Sequence, residues 1–169
     1  MGKKAEKKPS GGPKLLLLCG LPGCGKSTFS QGLEQRGGWI RVSPDDIGIM
    51  EECKKLIEKG LKHGSNVVLD RCNASDKERK MFVREAAEFT DDVSVVYFNV
   101  PVDVCLARAK ARPSHPTLTP EKADEVVTMF SKTMRVPERL TEGPYKAIHV
   151  VSSDDEVKAL LIRFLAGEL

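Results

Sequence analysis

GLPGCGKST, Gly20 to Thr28, stands between KLLLLC at 14–19 and FSQGLEQRGG at 29–38. From Gly20 to Ser27 it matches the phosphate-binding pattern G-x-x-x-x-G-K-[ST]. Glycines let such a loop turn tightly, so that successive backbone N–H groups point into one concavity. Lys26 supplies a flexible positive charge for the β- and γ-phosphates, and the Ser27 hydroxyl is a ligand for Mg²⁺. A helix starting here directs its positive end at the same anion. The flanks agree with that reading. Leu15 to Cys19 is an apolar run of buried-strand type, and Phe29 and Leu33 recur at the i, i+4 spacing of a helix. Gly20, Leu21, Pro22, Gly23, Cys24, Gly25, Lys26, Ser27 and Thr28 are therefore the expected site for a nucleoside triphosphate.

The 169 residues, 40% hydrophobic and 30% charged, have the size and balance of one globular domain. No apolar run approaches the roughly 18 residues that cross a bilayer, and no secretory pattern follows the N-terminus. The expectation is an intracellular protein, nuclear or cytoplasmic, monomeric and independent of membranes. The net charge of +3 is uneven. Residues 1–14 hold five lysines and one glutamate, so this stretch carries +4 and the body −1. We expect a disordered basic tail over 1–14 and one domain over 15–169. Five cysteines without C-x-x-C spacing make neither a disulfide framework nor a zinc site. Cys24 reads as filler within the loop, with oxidation sensitivity as the alternative.

Beyond the loop, strands alternate with helices. A helix to about Arg36 ends at Gly37-Gly38. Trp39–Val42 reads as a strand, and a helix starting at Ser43-Pro44 runs to about His63 with Met50, Cys53, Leu56, Ile57 and Leu61 on one face. Asn66–Asp70 is a third strand, and Asn73 or Ser75 caps a helix carrying Met81, Phe82, Ala86 and Phe89. Val93–Val100 is a fourth strand, followed by a helix over Val102–Arg112, a Pro-rich loop and a helix from Glu121. Ala147–Val151 and a helix over Asp155–Leu165 close the chain. This alternation implies a parallel sheet with helices on both faces, an α/β fold. Ligands of such sheets sit beyond the carboxyl ends of the strands.

Four segments fall at those ends. Asp45, after the second strand, is placed to take a proton from an acceptor hydroxyl. Ser43-Pro44-Asp45-Asp46 is equally a good helix start, with Asp46 the better capping-box residue. Asp70, after the third strand, is in position to hold Mg²⁺ through water, with Ser27, or to cap the next helix. Arg71 stays at the mouth of the sheet, whereas Lys77, Arg79, Lys80 and Arg84 read as a solvated helix face. Arg108 and Arg112, one turn apart before Pro113, suit a lid whose charge neutralises a phosphoryl group in transfer, Arg112 being nearer the loop. Both are otherwise surface charges, and His115 reads as structural.

In this order the pieces resemble the 5′-hydroxyl polynucleotide kinase family: the kinase domain of animal DNA-repair kinase–phosphatases and, more loosely, a phage enzyme. The carriers are GLPGCGKSTF, RVSPDDIG, VVLDRCNASDKERK, Arg108-x-x-x-Arg112 and RVPERLTEGPYKAI, and they span about 15–151. The resemblance implies a P-loop kinase fold with a five-stranded sheet of order 2-3-1-4-5. It implies Asp45 as general base, Lys26, Arg108 and Arg112 on the donor phosphates, and an ATP (or GTP) donor with Mg²⁺. It implies a nucleic-acid 5′-OH end, DNA or RNA, as acceptor. The chain departs from the family at Pro44, where an arginine is usual, and at Gly48, where the phage enzyme has another. Asp-Arg-Cys-Asn replaces Asp-Asn-Thr-Asn, as in plant and fungal end-processing modules. Signatures of an attached phosphatase or ligase are lacking, so the module stands alone or belongs to a larger end-processing protein.

A polynucleotide end needs an open basic groove, for which Arg71, Arg135 and Arg139 are candidates. The alternatives are a small-molecule kinase of gluconate- or nucleoside-kinase type, which would enclose its acceptor, and a non-catalytic nucleotide-dependent binding module.

Overall fold

Leu15 to Cys19 are each at most 1% exposed, because strands and helices cover this run on every side. In the computed structural model, which describes residues 11–44, 48–112 and 118–169, they form most of β1 (Lys14–Cys19). There follow α1 (Lys26–Gly37), β2 (Ile40–Val42), α2 (Met50–Lys62), β3 (Val67–Leu69), α3 (Asp76–Ala86), β4 (Asp92–Phe98) and α4 (Val102–Ala111). A 3₁₀ turn (Pro120–Lys122) leads into α5 (Ala123–Thr133), α6 (Arg139–Glu142), β5 (Ile148–Val151) and α7 (Asp154–Leu165).

The five strands are parallel in the order β2-β3-β1-β4-β5, which is the expected P-loop kinase sheet. Leu15 lies opposite Val67 on one side and Val93 on the other. Alternation along β1 divides the core. Leu16 and Leu18 face one layer with Phe29, Leu33, Phe98, Cys105, Val127 and Phe164 from α1, β4, α4, α5 and α7. Leu15, Leu17 and Cys19 face the other with Cys53, Ile57, Leu61, Phe82 and Val83 from α2 and α3. In the first layer Phe29 meets Phe98 and Phe164 edge to face, with centroids 5.9 and 6.1 Å apart.

Three local expectations change. β1 takes in Lys14, whose ammonium lies 3.0 Å from Asp92 on the adjacent strand, so this lysine belongs to the sheet and not to the basic arm. Residues 1–10 lie outside the described residues. The helix expected from Ser43 begins afresh at Met50: Gly48 has φ +82° and Ile49 is extended. Leu56 is 39% exposed. It lies roughly 80° around the helix from the centre of the Cys53, Ile57, Gly60 and Leu61 stripe, so it drops off the buried face. Of the two residues expected to cap α3, it is Ser75 that does so, its hydroxyl accepting from the Glu78 N–H at 3.2 Å.

Among the described residues no helix is long and apolar enough to cross a membrane.

Candidate active site

The segments after β1, β2 and β3 and the end of α4 meet at the carboxyl side of the sheet. With Leu118, Val126 and Phe130 they line a cleft of about 310 Å³. Pro22, Gly23, Gly25, Lys26 and Ser27 of the phosphate loop line its floor. Gly25 has φ +106° and turns the chain into α1. Gly23 has φ +84°, and a Cβ there would lie 2.3 Å from the Cys105 carbonyl, so any side chain would force the loop off α4. The first turn of α1 has neither a side-chain cap nor an acidic residue. Its N–H groups and positive dipole end are thus left for an anion.

Lys26 is only 7% exposed. Its ammonium donates to the Gly20 and Leu21 carbonyls, both at 2.9 Å, and to Cys24 Sγ at 3.5 Å. Among the described residues it has no carboxylate in ion-pair contact. Burial opposes its charge, but the Cys24 and Cys72 thiols and the Asp70 carboxylate outweigh that and raise its pKa above the ordinary lysine value. A buried cation held by neutral groups beside bare helix N–H groups fits a polyphosphate. The cysteines are free thiols. Burial pushes Cys19 up to about 12 and Cys105 to about 11, which keeps both inert as nucleophiles.

Asp70, 4% exposed, lines the same cleft. Its Oδ2 accepts from Ser30 Oγ at 2.8 Å and from Arg41 Nη2 at 2.7 Å and Nε at 3.1 Å. It does not cap α3. Sequence reasoning passed over Ser30 and Arg41, because their link to Asp70 exists only once β2 is laid beside β3. Arg71 lines the cleft and pairs with Glu78 at 3.0 Å. Arg112, at the end of α4, also lines it. Arg108 instead points to Asp154, 3.1 Å away on the exposed side of α7, and is not among the cleft residues. Arg135 is exposed, and its backbone N–H donates to Ala74 O at 2.8 Å, next to the Asp70–Asn73 wall.

Arg139 is displaced from the cleft. Its guanidinium binds Lys146 O at 2.6 Å, and Lys146 bonds Val93 and Asp92 at the start of β4. That is the amino end of the sheet, so the geometry does not support the expected acceptor contact. Asp45, Asp46 and His115 lie outside the described residues, while Pro44 lines the cleft.

Arg79 corrects the reading of α3 as a solvated face. It is fully buried. Its guanidinium forks onto Glu142, with Nε to Oε2 at 2.8 Å and Nη2 to Oε1, and Tyr145 donates to the same Oε2 at 2.8 Å. Burial, then the Glu142 carboxylate, raise the Tyr145 pKa, so it remains a donor. Removing either charge would strand the other in the interior, at a cost on the order of 3–5 kcal/mol. Periodicity could not reveal this, because Glu142 lies 63 residues further along the chain.

A family model for the AAA domain matches residues 15–50 and 47–137. The transcription factor bHLH140 of Arabidopsis thaliana is 30% identical over 152 residues, which is 85% of this chain and 16% of that protein. The bifunctional polynucleotide phosphatase/kinase of Schizosaccharomyces pombe is 30% identical over 84 residues, half of this chain and 21% of the other. The chain thus spans less than a third of the curated relatives it matches. A crystal structure of a fungal RNA kinase superposes with a TM-score of 0.71 at 15% identity, covering 93% of this chain and 88% of that one.

Proposed function

We propose, from the premise that this chain belongs to the AAA domain family of P-loop proteins, that it transfers the γ-phosphoryl group of ATP (or GTP) to the 5′-hydroxyl of a DNA or RNA end. The observation that carries the reading is the set of groups lining one cleft: Lys26 and Ser27 of the phosphate loop, Asp70, and the guanidinium groups of Arg71 and Arg112. The similarity to a protein named polynucleotide phosphatase/kinase supports the acceptor class. The short span relative to such proteins supports a module of a larger end-processing protein.

A bound nucleotide with Mg²⁺ supplies the phosphoryl group and a metal that spreads its charge. Lys26 and the α1 N-terminus hold the phosphates, and Ser27 and Asp70 are the groups to hold the metal. Arg41 and Ser30 orient the Asp70 carboxylate. Arg112 neutralises charge on the group in flight. Asp45, beside cleft-lining Pro44 in the chain, takes the proton from the attacking hydroxyl. Arg71 and Arg135 hold the phosphates of the acceptor strand.

A radiolabel transfer panel tests the acceptor. With ATP and GTP as donors, label is expected on 5′-OH DNA or RNA and not on gluconate or nucleosides. Label on a small molecule alone would overturn the acceptor while leaving phosphoryl transfer standing. Label on nothing would favour a non-catalytic binding module. Within the active enzyme, Arg112→Ala is expected to lower kcat about 10²-fold with a smaller rise in KM for ATP, because its charge matters most in the transition state. Arg108→Ala, which loses only an exposed pair with Asp154, is expected to stay near wild type. Steady-state kinetics of the two variants would reverse the assignment if Arg108→Ala were the damaged one.

A further inference from the structure

The wall of the cleft formed by Asp70 to Asn73 is not self-supporting. Asn73 has φ +45°, the left-handed region, which among side-chain-bearing residues asparagine tolerates best. Its Nδ2 is fixed on Leu18 O at 2.7 Å, and its Oδ1 is buried without a hydrogen-bond partner. The unpartnered buried oxygen disfavours this turn, and contacts from outside it hold it in place. Arg79 does so from behind. Its Nη1 donates to Asn73 O at 2.6 Å and to Ala74 O at 3.2 Å, while Glu142 locks the rest of the guanidinium. On the cleft side the same segment receives the Gly20 N–H on Cys72 O at 3.0 Å. The braced turn therefore sits directly against the start of the phosphate loop.

We propose that Arg79, oriented by Glu142, is a positioning residue: it fixes the Asp70–Asn73 wall against the phosphate loop and so sets the spacing between the metal-side carboxylate and the bound phosphates. It touches neither substrate nor nucleotide. The inference rests on the phosphoryl-transfer reading for its kinetic consequence but not for its structural one.

Arg79→Lys retains a charge for Glu142 and loses the fork. Misplacing a site by about an ångström costs up to about 10²-fold in rate. At a temperature well below the melting midpoint, Arg79→Lys is expected to lower kcat at least about tenfold, with KM for ATP within about threefold of wild type. Amide hydrogen exchange at Gly20 and Arg135, whose N–H groups bond to the braced segment, is expected to speed up while that of Leu16 in β1 is unchanged. The exchange is read whether or not any acceptor is phosphorylated, so a failed acceptor assignment leaves it intact. Tyr145→Phe, which spares the bonds of Arg79 to the turn, is the control and should keep wild-type kcat. If Arg79→Lys does not melt cooperatively, Glu142→Gln is measured in the same way. A lowered midpoint with unchanged kcat and unchanged Gly20 exchange would reduce Arg79 to a stability element and overturn the proposal. An equal loss of kcat in Tyr145→Phe would do the same.

Discussion

Lys26→Ala is expected to lower phosphoryl transfer on the order of 10³-fold or more, the range lost when a charge facing the transferred phosphate is removed. The effect is large because Lys26 is the buried cation of the phosphate loop itself. Among the described residues it is the cation on the floor of the cleft, 7% exposed and held by the Gly20 and Leu21 carbonyls. A bound nucleotide would offer phosphate oxygens in place of those neutral contacts, to an ammonium already held in the loop. The fold should survive. The substitution strands no charge, and the two carbonyls lose one donor each, about 1 kcal/mol apiece. Thermal melts, ATP affinity and transfer rates measured on the same preparation check this, with Lys26→Met as a control that keeps the bulk of the side chain. Near-normal turnover in a folded Lys26→Ala protein would show that the reaction happens elsewhere.

Asp45→Asn is expected to lower turnover about 10²–10⁴-fold, as befits loss of a general base. Asn is close in shape to Asp and is itself a good helix-start residue, so the segment begun by Ser43-Pro44 should hold. ATP affinity should hold as well, since Gly20 to Ser27 are untouched. A role limited to helix capping predicts the opposite pattern: at most about 1 kcal/mol of stability lost and turnover preserved. Asp46→Asn is the internal control and should show that milder pattern. If Asp46→Asn proves to be the inactive one, or if Asp45→Asn transfers at the wild-type rate, the assignment of the base falls. With it goes the residue that most specifically ties this chain to polynucleotide 5′-hydroxyl transfer.

Much of the fold was legible because its signals are local. Gly20 to Ser27 announce themselves through glycines that must take positive φ within a few residues of a lysine. Leu15 to Cys19 read as a strand buried on both faces because no polar residue interrupts them, and Gly37-Gly38 ends α1 for steric reasons contained in the two residues. Alternation of strands and helices implied the parallel sheet, and family resemblance supplied its order. What local signals cannot carry is which distant side chains meet. Arg41 and Asp70 are 29 positions apart and are joined only when β2 pairs with β3. Arg79 has the spacing of an exposed helix face, yet α6 brings Glu142 against it and buries both. The sequence favoured Arg112 over Arg108 only because it stands nearer the loop. The docking of α7 gives Arg108 an acid, while the end of α4 leaves Arg112 in the cleft. Arg139 looked like a rim residue from its place in the chain, and the return of the backbone into β5 carries it to the far end of the sheet. By itself the sequence determined most of the elements and the pattern of the phosphate loop, since backbone conformation and burial period are properties of neighbouring residues. The partners of the charged side chains were decided only by tertiary structure, because an ion pair depends on distance in space and not on separation along the chain.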